Sequence, residues 1–421
     1  MCSKVHKKTQ RPDAPKCASG LCVRIKDALK GLLAVVFITV FYLAVSWAGN
    51  KVEFLSPWKQ AMESYRLSDL YCWMHKSPKA VTYNGIGVVT IDISSCKSRG
   101  EIASLIDRIN SGEPCCVGVD VIFPNLSADS SRAEDDSLTA AFSRTRNLVL
   151  AKEFRPVSGT EYSRKSSFFA RQIDAREGVV SLPTGIIRDW TPLLVFGNDT
   201  LPSFTKAIAD LSGIPMPATT EPQMIDYSIS DDVTLRSDEP WDPEFLKGQI
   251  VLVGDLEDLR DSHEIPVTLQ KSAREAGLNI HRQILQTSME GKEFHAVPKW
   301  LMLMISGLLL WIISILLMPL TAKANAAAGR IQAKEGGVTL LDYIGLFFLH
   351  HASAIAQTSL IVLSVIAGYI LFWKAGLMFE TKFLLSGYAL LYAGNTFVDS
   401  FLRFLNAVKN TFHKKKNIMP L

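Results

Sequence analysis

The chain lacks the short signatures by which most enzyme classes announce themselves. Its 421 residues hold no GxSxG elbow, no phosphate-binding P-loop, no HExxH pair and no glycine-rich dinucleotide fingerprint. No catalytic residue, cofactor or enzymatic activity is therefore assigned. Cysteine is scarce, with seven residues and no CxxC or Cys/His spacing, which gives no ground for a structural metal. Charge is missing altogether from long stretches. Residues 31–50 carry none, enough to cross a hydrocarbon layer of ~30 Å at about 1.5 Å per residue. Residues 300–322 form a second uncharged run. A third, residues 343–373, exceeds one crossing, and its early aromatics with His350 and His351 read as an interfacial helix leading into a span over 352–373. A fourth span is expected over 383–402, with Asp399 and Arg403 paired one helical turn apart at its exit. No small-residue cleavage site follows the first run, so it reads as a signal anchor.

Charge is distributed by segment. Residues 1–30 contain eight Lys/Arg against two Asp; 323–351 and 403–421 are also basic. Residues 51–299 hold 27 Lys/Arg against 35 Asp/Glu, a formal −8. By the positive-inside rule the three basic segments face the cytoplasm and 51–299 lies outside. The net +4 of the whole chain averages these opposites and gives no reason to expect a nucleic-acid partner.

The outer segment is organised around residues 112–125, GEPCCVGVDVIFPN. This short apolar run, with Asp120 near its carboxyl end, has the grammar of a strand buried on both faces. Residues 87–94, GVVTIDIS, repeat it with Asp92. Between them, 100–111 places Ile102, Leu105, Ile106 and Ile109 on one helical stripe, so the three form a βαβ unit. A helix over 133–144, a strand over 147–154 and a polar loop or irregular helix over 156–176 are expected next. Further on, short strands over 177–183, 189–196 and 224–228 and a helix over 203–211 are expected. Residues 249–253 make another buried strand, leading into an acidic loop, 257–266, that holds Asp258, Asp261, His263 and Glu264; an amphipathic helix over 277–290 then leads toward the second apolar run. Residues 51–81 read as a mostly helical connector. Cys72 and Cys96, in a compartment where disulfides persist, are the pair open to bridging. Adjacent Cys115 and Cys116 point to opposite faces of their strand and serve as small apolar residues.

These motifs, in this order and between one apolar run and three more, resemble a CHASE2 domain, the extracytoplasmic module of many bacterial membrane receptors. The resemblance spans about residues 52–298 and rests on VVTIDIS, VGVDVIFPN, AEDDSLTAAF, LVLA, GVV before Arg188, SFTKAIA, KGQIVLVGDLEDLRDSHEIP and GLNIHRQIL. It implies an α/β sensor domain with a largely parallel sheet flanked by helices, held at a bacterial inner membrane. Two features depart from the family's pattern. Ser94-Ser95 stand where a further acid is common, and the residues after Phe401 leave no room for the kinase or cyclase that family receptors usually carry there.

The expected protein is thus a four-span membrane sensor that binds a small-molecule or periplasmic ligand and is read by a separate effector protein, with a homodimer as an allowed assembly. The expected ligand-binding residues are Asp92, Asp120, Asp261 and His263, brought together at the carboxyl ends of adjacent parallel strands. A structural subunit of a membrane complex and a periplasmic hydrolase are the other readings. The topology is testable. Reporter fusions at Ser163 and after Leu421 are expected to report periplasm and cytoplasm respectively, and a Ser163 fusion active only in the cytoplasm would overturn the assignment.

Overall fold

The computed structural model describes residues 16–49, 66–76, 81–127, 132–158, 161–229, 233–266, 273–292, 294–332, 340–378 and 382–416. Two compact units separate: residues 64–295 with 375–378, and the remainder of the chain. Of the expected connector, residues 51–65 lie outside the described ones; its later part forms the helix Leu67–Met74 of the first unit.

The strands of the first unit's main sheet are β1 (Val88–Asp92), β2 (Cys116–Val119), β3 (Leu148–Ser158), β4 (Glu161–Ser166), β5 (Arg176–Val179), β10 (Thr234–Arg236) and β11 (Ile250–Gly254). They lie in the order β10-β1-β11-β2-β3-β4, with β5 also paired to β3. All pairings are parallel except β3 with β4. Every residue of β1, β2 and β11 is buried, as continuous apolar runs require in a sheet covered on both sides. The two-residue period then splits them. Val89, Ile91, Val117, Val119, Val251 and Val253 face a core built with the helices Arg99–Ser111, Arg132–Arg144 and Phe168–Gln172. Val88, Cys116, Ile250 and Leu252 face the helices Phe204–Ser212 and Gly277–Glu290. Outside the second layer, Ile280 and Ile284 meet Ile187, Trp190, Ile225 and Ile265, so the Gly277–Glu290 helix is covered on both of its sides.

Several expectations are corrected. The strands ending in Asp92 and Asp120 are parallel but not adjacent, because β11, more than 130 residues later in the chain, pairs with both. The polar stretch 156–176 is not a loop: it holds the end of β3, the antiparallel β4 and a five-residue helix. The strand expected over 189–196 divides in two. Its first part, β6 (Asp189–Trp190), pairs with β9 (Gln223–Met224), and its second, β7 (Leu193–Phe196), pairs with β8 (Asp199–Pro202). The acidic loop continues into β12 (Ser262–Ile265), which pairs with β13 (Ala273–Ala276). Cys72, Cys96, Cys115 and Cys116 are all free. Cys72 is buried against the Asp226 carboxylate, and burial, reinforced by that charge, raises its thiol pKa and keeps it protonated.

Among the described residues the second unit contains four long helices: Lys16–Gly49, Lys299–Gln332, Leu340–Ala375 and Lys382–Lys416. Three of them are long and apolar enough to cross a membrane, over Asp27–Ala44, Lys299–Leu316 and Thr358–Ala375. The fourth expected span is corrected. It forms a helix, but Asn395, Thr396 and Asp399 dilute its apolar run below what a crossing needs. Its Phe383, Leu384, Tyr388 and Leu391 are buried with Val35, Ile38, Leu310 and Ile313, so it packs on its neighbours through one face. Ser314 Oγ donates to Asn395 Oδ1 at 3.0 Å, and Trp311 Nε1 donates to the Ala28 carbonyl at 2.8 Å. The expected interfacial segment and the third span lie on one continuous helix, Leu340–Ala375.

Close approach between layers depends on Gly178 of β5. A Cβ built there would lie 2.5 Å from Phe204 Cα, a backbone atom that cannot swing aside. Gly178→Ala is expected to lower stability by about 1–3 kcal/mol through overpacking. Thermal melting checks this, and an unchanged melting temperature would show that the Phe204–Ser212 helix is not held against the sheet as described.

Candidate functional site at the sheet edge

Asp92, Gly254 and Asp120 end three neighbouring parallel strands at nearly one level. Asp92 is in register with Gly254, and the Asp120 amide donates to the Val253 carbonyl at 2.8 Å. By parity all three sit on the face covered by the Gly277–Glu290 helix. Gly254 leaves the space between the two acids open, because a Cβ there would press on Leu278 at 3.1 Å and on Asp120 Cβ at 3.4 Å.

The two acids nevertheless do different things. Asp92 is buried, and its carboxylate accepts the Ser94 amide at 3.0 Å, the Ser94 hydroxyl at 2.8 Å and the Leu256 amide at 3.1 Å. It ties together the loops after β1 and β11, and its acceptor capacity is used on the protein itself. Ser94 supplies two of these three donors, and an acid in its place would repel Asp92.

Asp120 has no such donors. Its side chain is 12 % exposed, and His281 Nε2 lies 3.9 Å from its Oδ2. Burial, with a further contribution from the Asp261 charge, raises its pKa to about 8. His281 is buried on the Gly277–Glu290 helix with its ring edge against Phe204, and neither ring nitrogen makes a well-formed hydrogen bond. Burial lowers its pKa to about 4. A neutral carboxyl group therefore faces a neutral imidazole near pH 7, both short of partners.

Asp261 and His263 lie close enough to this pair to act on it by charge. His263 Nε2 lies 3.1 Å from Asp261 Oδ1, and Asp261 Oδ2 accepts the Gly277 amide at 3.1 Å. Ala276 gives that helix no side-chain cap, so Asp261 satisfies the first turn from another segment and places its charge at the positive end of the dipole. The β12–β13 register of Ser262 with Ala276 brings it there. A Cβ at Gly277 would lie 2.5 Å from Asp261 Oδ2, so any side chain there would displace the carboxylate.

Asp261 thus lies near enough to act on Asp120 by its charge, and Asp261 and His263 both act on His281; Asp92 is engaged by its own loops, and His281 was not among the expected residues. Among the described residues no group of three or more His, Cys, Asp or Glu is placed to hold a metal ion. The arrangement suits proton uptake, or a ligand offering a donor or cationic group to Asp120 and Asp261.

The far end of the same helix is fixed by a second buried acid. Asp226 is wholly buried; its carboxylate accepts the Ser228 amide at 2.9 Å and lies 3.2 Å from Lys292 Nζ, just past the helix end. Its main chain bonds Thr287 and Gln283 of the helix. The Leu67–Met74 helix joins the same region through Cys72, and its Asp69 forms a two-pronged ion pair with buried Arg188 at 2.8–3.2 Å.

The sheet-edge pair makes a pH prediction. Asp120, raised from ~3.9 unfolded to about 8 folded, contributes stability that is present at low pH and lost as pH rises toward 8. His281, lowered from ~6.5 to about 4, contributes stability that is lost as pH falls from ~6.5 toward 4. The two oppose each other below ~6.5, leaving Asp120 alone between ~6.5 and 8. Stability is expected to fall there by at most about 1.4 kcal/mol per pH unit. Asp120→Asn should flatten that fall in thermal melts at pH 6.5 and 8; an equal fall in the variant would refute the assignment.

Comparison with known proteins bears on the family. No curated protein and no solved structure matches the chain. The family model described as the CHASE2 domain matches residues 34–321, more than half the chain, and extends past the sheet domain into the apolar helices on either side. The chain belongs to the CHASE2 domain family, whose domain is an extracellular sensory module.

Proposed function

We propose that the protein is a membrane-bound extracytoplasmic sensor whose signal enters at the Asp120–His281 crevice and is relayed to a separate effector protein. The observation that carries this is the position of His281. It lies on a helix buried on almost every side, and in the sequence only residues 291–298 separate that helix from the apolar helix Lys299–Gln332. A proton or ligand that favours one arrangement of the crevice shifts the helix by its differential affinity alone, and no chemistry is needed. We read both termini as cytoplasmic and 51–299 as periplasmic in a bacterial inner membrane. The basic segments at Arg330 and beyond Arg403 are then the surface offered to the partner. The role is transmission rather than turnover.

Inserting Gly-Ser-Gly-Ser after Gly291 tests the relay in the full-length protein, since a flexible linker transmits neither rotation nor translation. Partner capture by cross-linking from detergent is expected to differ between pH 6.5 and 8 in the unmodified chain and to lose that difference on insertion, with folding and membrane insertion intact. Capture whose pH difference survives the insertion would favour a passive scaffold.

A further inference from the structure

Away from the Asp120 crevice, the short helix Leu67–Met74 is fastened to the domain chiefly by polar contacts. Its eight residues are too few for a helix to hold itself together in water, so docking must supply its stability. Tyr71 and Cys72 are buried, yet among the described residues no side chain of this helix belongs to the domain's three buried apolar clusters. Asp69 accepts the Arg66 amide at 3.0 Å, which caps the helix, and the same carboxylate holds the buried Arg188 guanidinium at 2.8 Å. One acid thus couples forming the helix to docking it. Arg66 Nη1 adds a contact to Asp189 Oδ2 at 2.7 Å. Near the other end, Cys72 Sγ lies 3.8 Å from Asp226 Oδ1, while Lys292 Nζ lies 3.2 Å from Asp226 Oδ2. Tyr71 meets Phe294 edge to face, with ring centroids 6.3 Å apart. These partners are close in space and far apart in the chain. In the sequence, residues 50–65 join the short helix to the apolar helix Lys16–Gly49, and residues 293–298 lead from Lys292 to the apolar helix Lys299–Gln332.

We propose that the Leu67–Met74 helix is a latch. Docked, it ties the chain arriving from one apolar helix to the chain leaving for the next, through the single carboxylate of Asp226. Undocked, it unfolds as a unit while the sheet stays folded. The seat survives its departure, because Asp226 keeps Lys292 and the Ser228 amide, so no buried charge is stranded there. Release is opposed mainly at Arg188, which gives up a two-pronged partner. A segment held by a few ion pairs and outside the core can open at a free energy well below that of global unfolding. The inference concerns the first of the two connections to the apolar helices and does not depend on how the Asp120–His281 pair is used.

The protein carries its own reporters. Cys72 is 3 % exposed and reacts with a thiol reagent only when the latch opens, whereas Cys116 of β2 is wholly buried in the sheet and reacts only when the domain unfolds. Full-length protein in detergent is treated with N-ethylmaleimide under native conditions and read by peptide mass spectrometry. Each rate is divided by that of the same cysteine in unfolded protein. Cys72 is expected to react at least about tenfold faster than Cys116 in the unmodified chain. Asp69→Asn keeps an acceptor for the cap and removes the charge facing Arg188; it should quicken Cys72 by about tenfold or more and leave Cys116 unchanged. Asp107→Asn, which breaks an exposed pair with Arg144, should alter neither rate. The proposal fails if the two cysteines react together in the unmodified protein, if Asp69→Asn quickens both equally or neither, or if Asp107→Asn quickens Cys72 as much. The first comparison needs no variant, so a substitution that prevents folding cannot shield the idea.

Discussion

Burial of the Gly277–Glu290 helix on nearly all of its sides is the constraint on which the rest of the domain depends. Eleven of its residues are buried, among them His281, Arg282, Gln283, Gln286 and Thr287. A helix so enclosed must satisfy its polar groups from within the protein. Thr287 and Gln283 are met by the main chain of Asp226, and Arg282 reaches Thr234 of β10. The termini are satisfied the same way, by Asp261 at the first turn and by the Asp226–Lys292 pair beyond the last. The helix is therefore held by directional contacts at both ends and by Leu278, Ile280, Ile284 and Leu285 between them.

Much of the sheet could be read from the chain and its order could not. The β-branched runs of β1, β2 and β11 are legible because a strand buried on both faces has no polar alternation to confuse it with anything else. That β11 lies between β1 and β2 is invisible locally, since pairing across more than 130 residues leaves no mark on either stretch. β10, only Thr234–Arg236, is too short to carry a period. β4 reads EYSRKS, and its polarity hides a strand whose solvated position needs no apolar face. The fourth span failed for the opposite reason. Its apolar residues are real, but they form one face of a helix that packs on its neighbours, and a count of apolar residues does not distinguish a face from a belt.

The site was half legible. Acids at the ends of parallel strands singled out Asp120 as a candidate, and the loop added Asp261 and His263. His281 was not singled out because GLNIHRQILQ reads as an ordinary amphipathic helix; three residues after Leu278 and four before Leu285, it falls on the apolar stripe, opposite a side expected to be wet. One signal was available. From Asn279 to Ser288 that supposedly wet side carries a single charge, Arg282, where a solvated helix would carry several. Polar but uncharged residues in such numbers mark a helix whose second face is turned toward protein.

Asp92 and Asp120 show why residue type at a strand end does not by itself define a site. They end parallel strands on the same face of one sheet, flanking the same glycine. Asp92 meets three donors, two from Ser94 and one from Leu256, so its charge is held by fixed dipoles and has nothing left to offer. Asp120 meets burial, a neighbouring acid and a histidine that burial keeps neutral, so its charge is opposed and its proton retained. The difference arises from the residues just beyond each strand. A serine two residues on turns back to close the first carboxylate. After the second comes Val121-Ile122-Phe123, whose phenyl ring packs into the core with Phe142 and Phe169. With no hydroxyl or turn amide at hand, the chain leaves Asp120 open toward the helix, and the only group placed to answer it among the described residues is His281. Of the two acids only Asp120 is therefore held protonated near neutral pH, facing His281 of the Gly277–Glu290 helix.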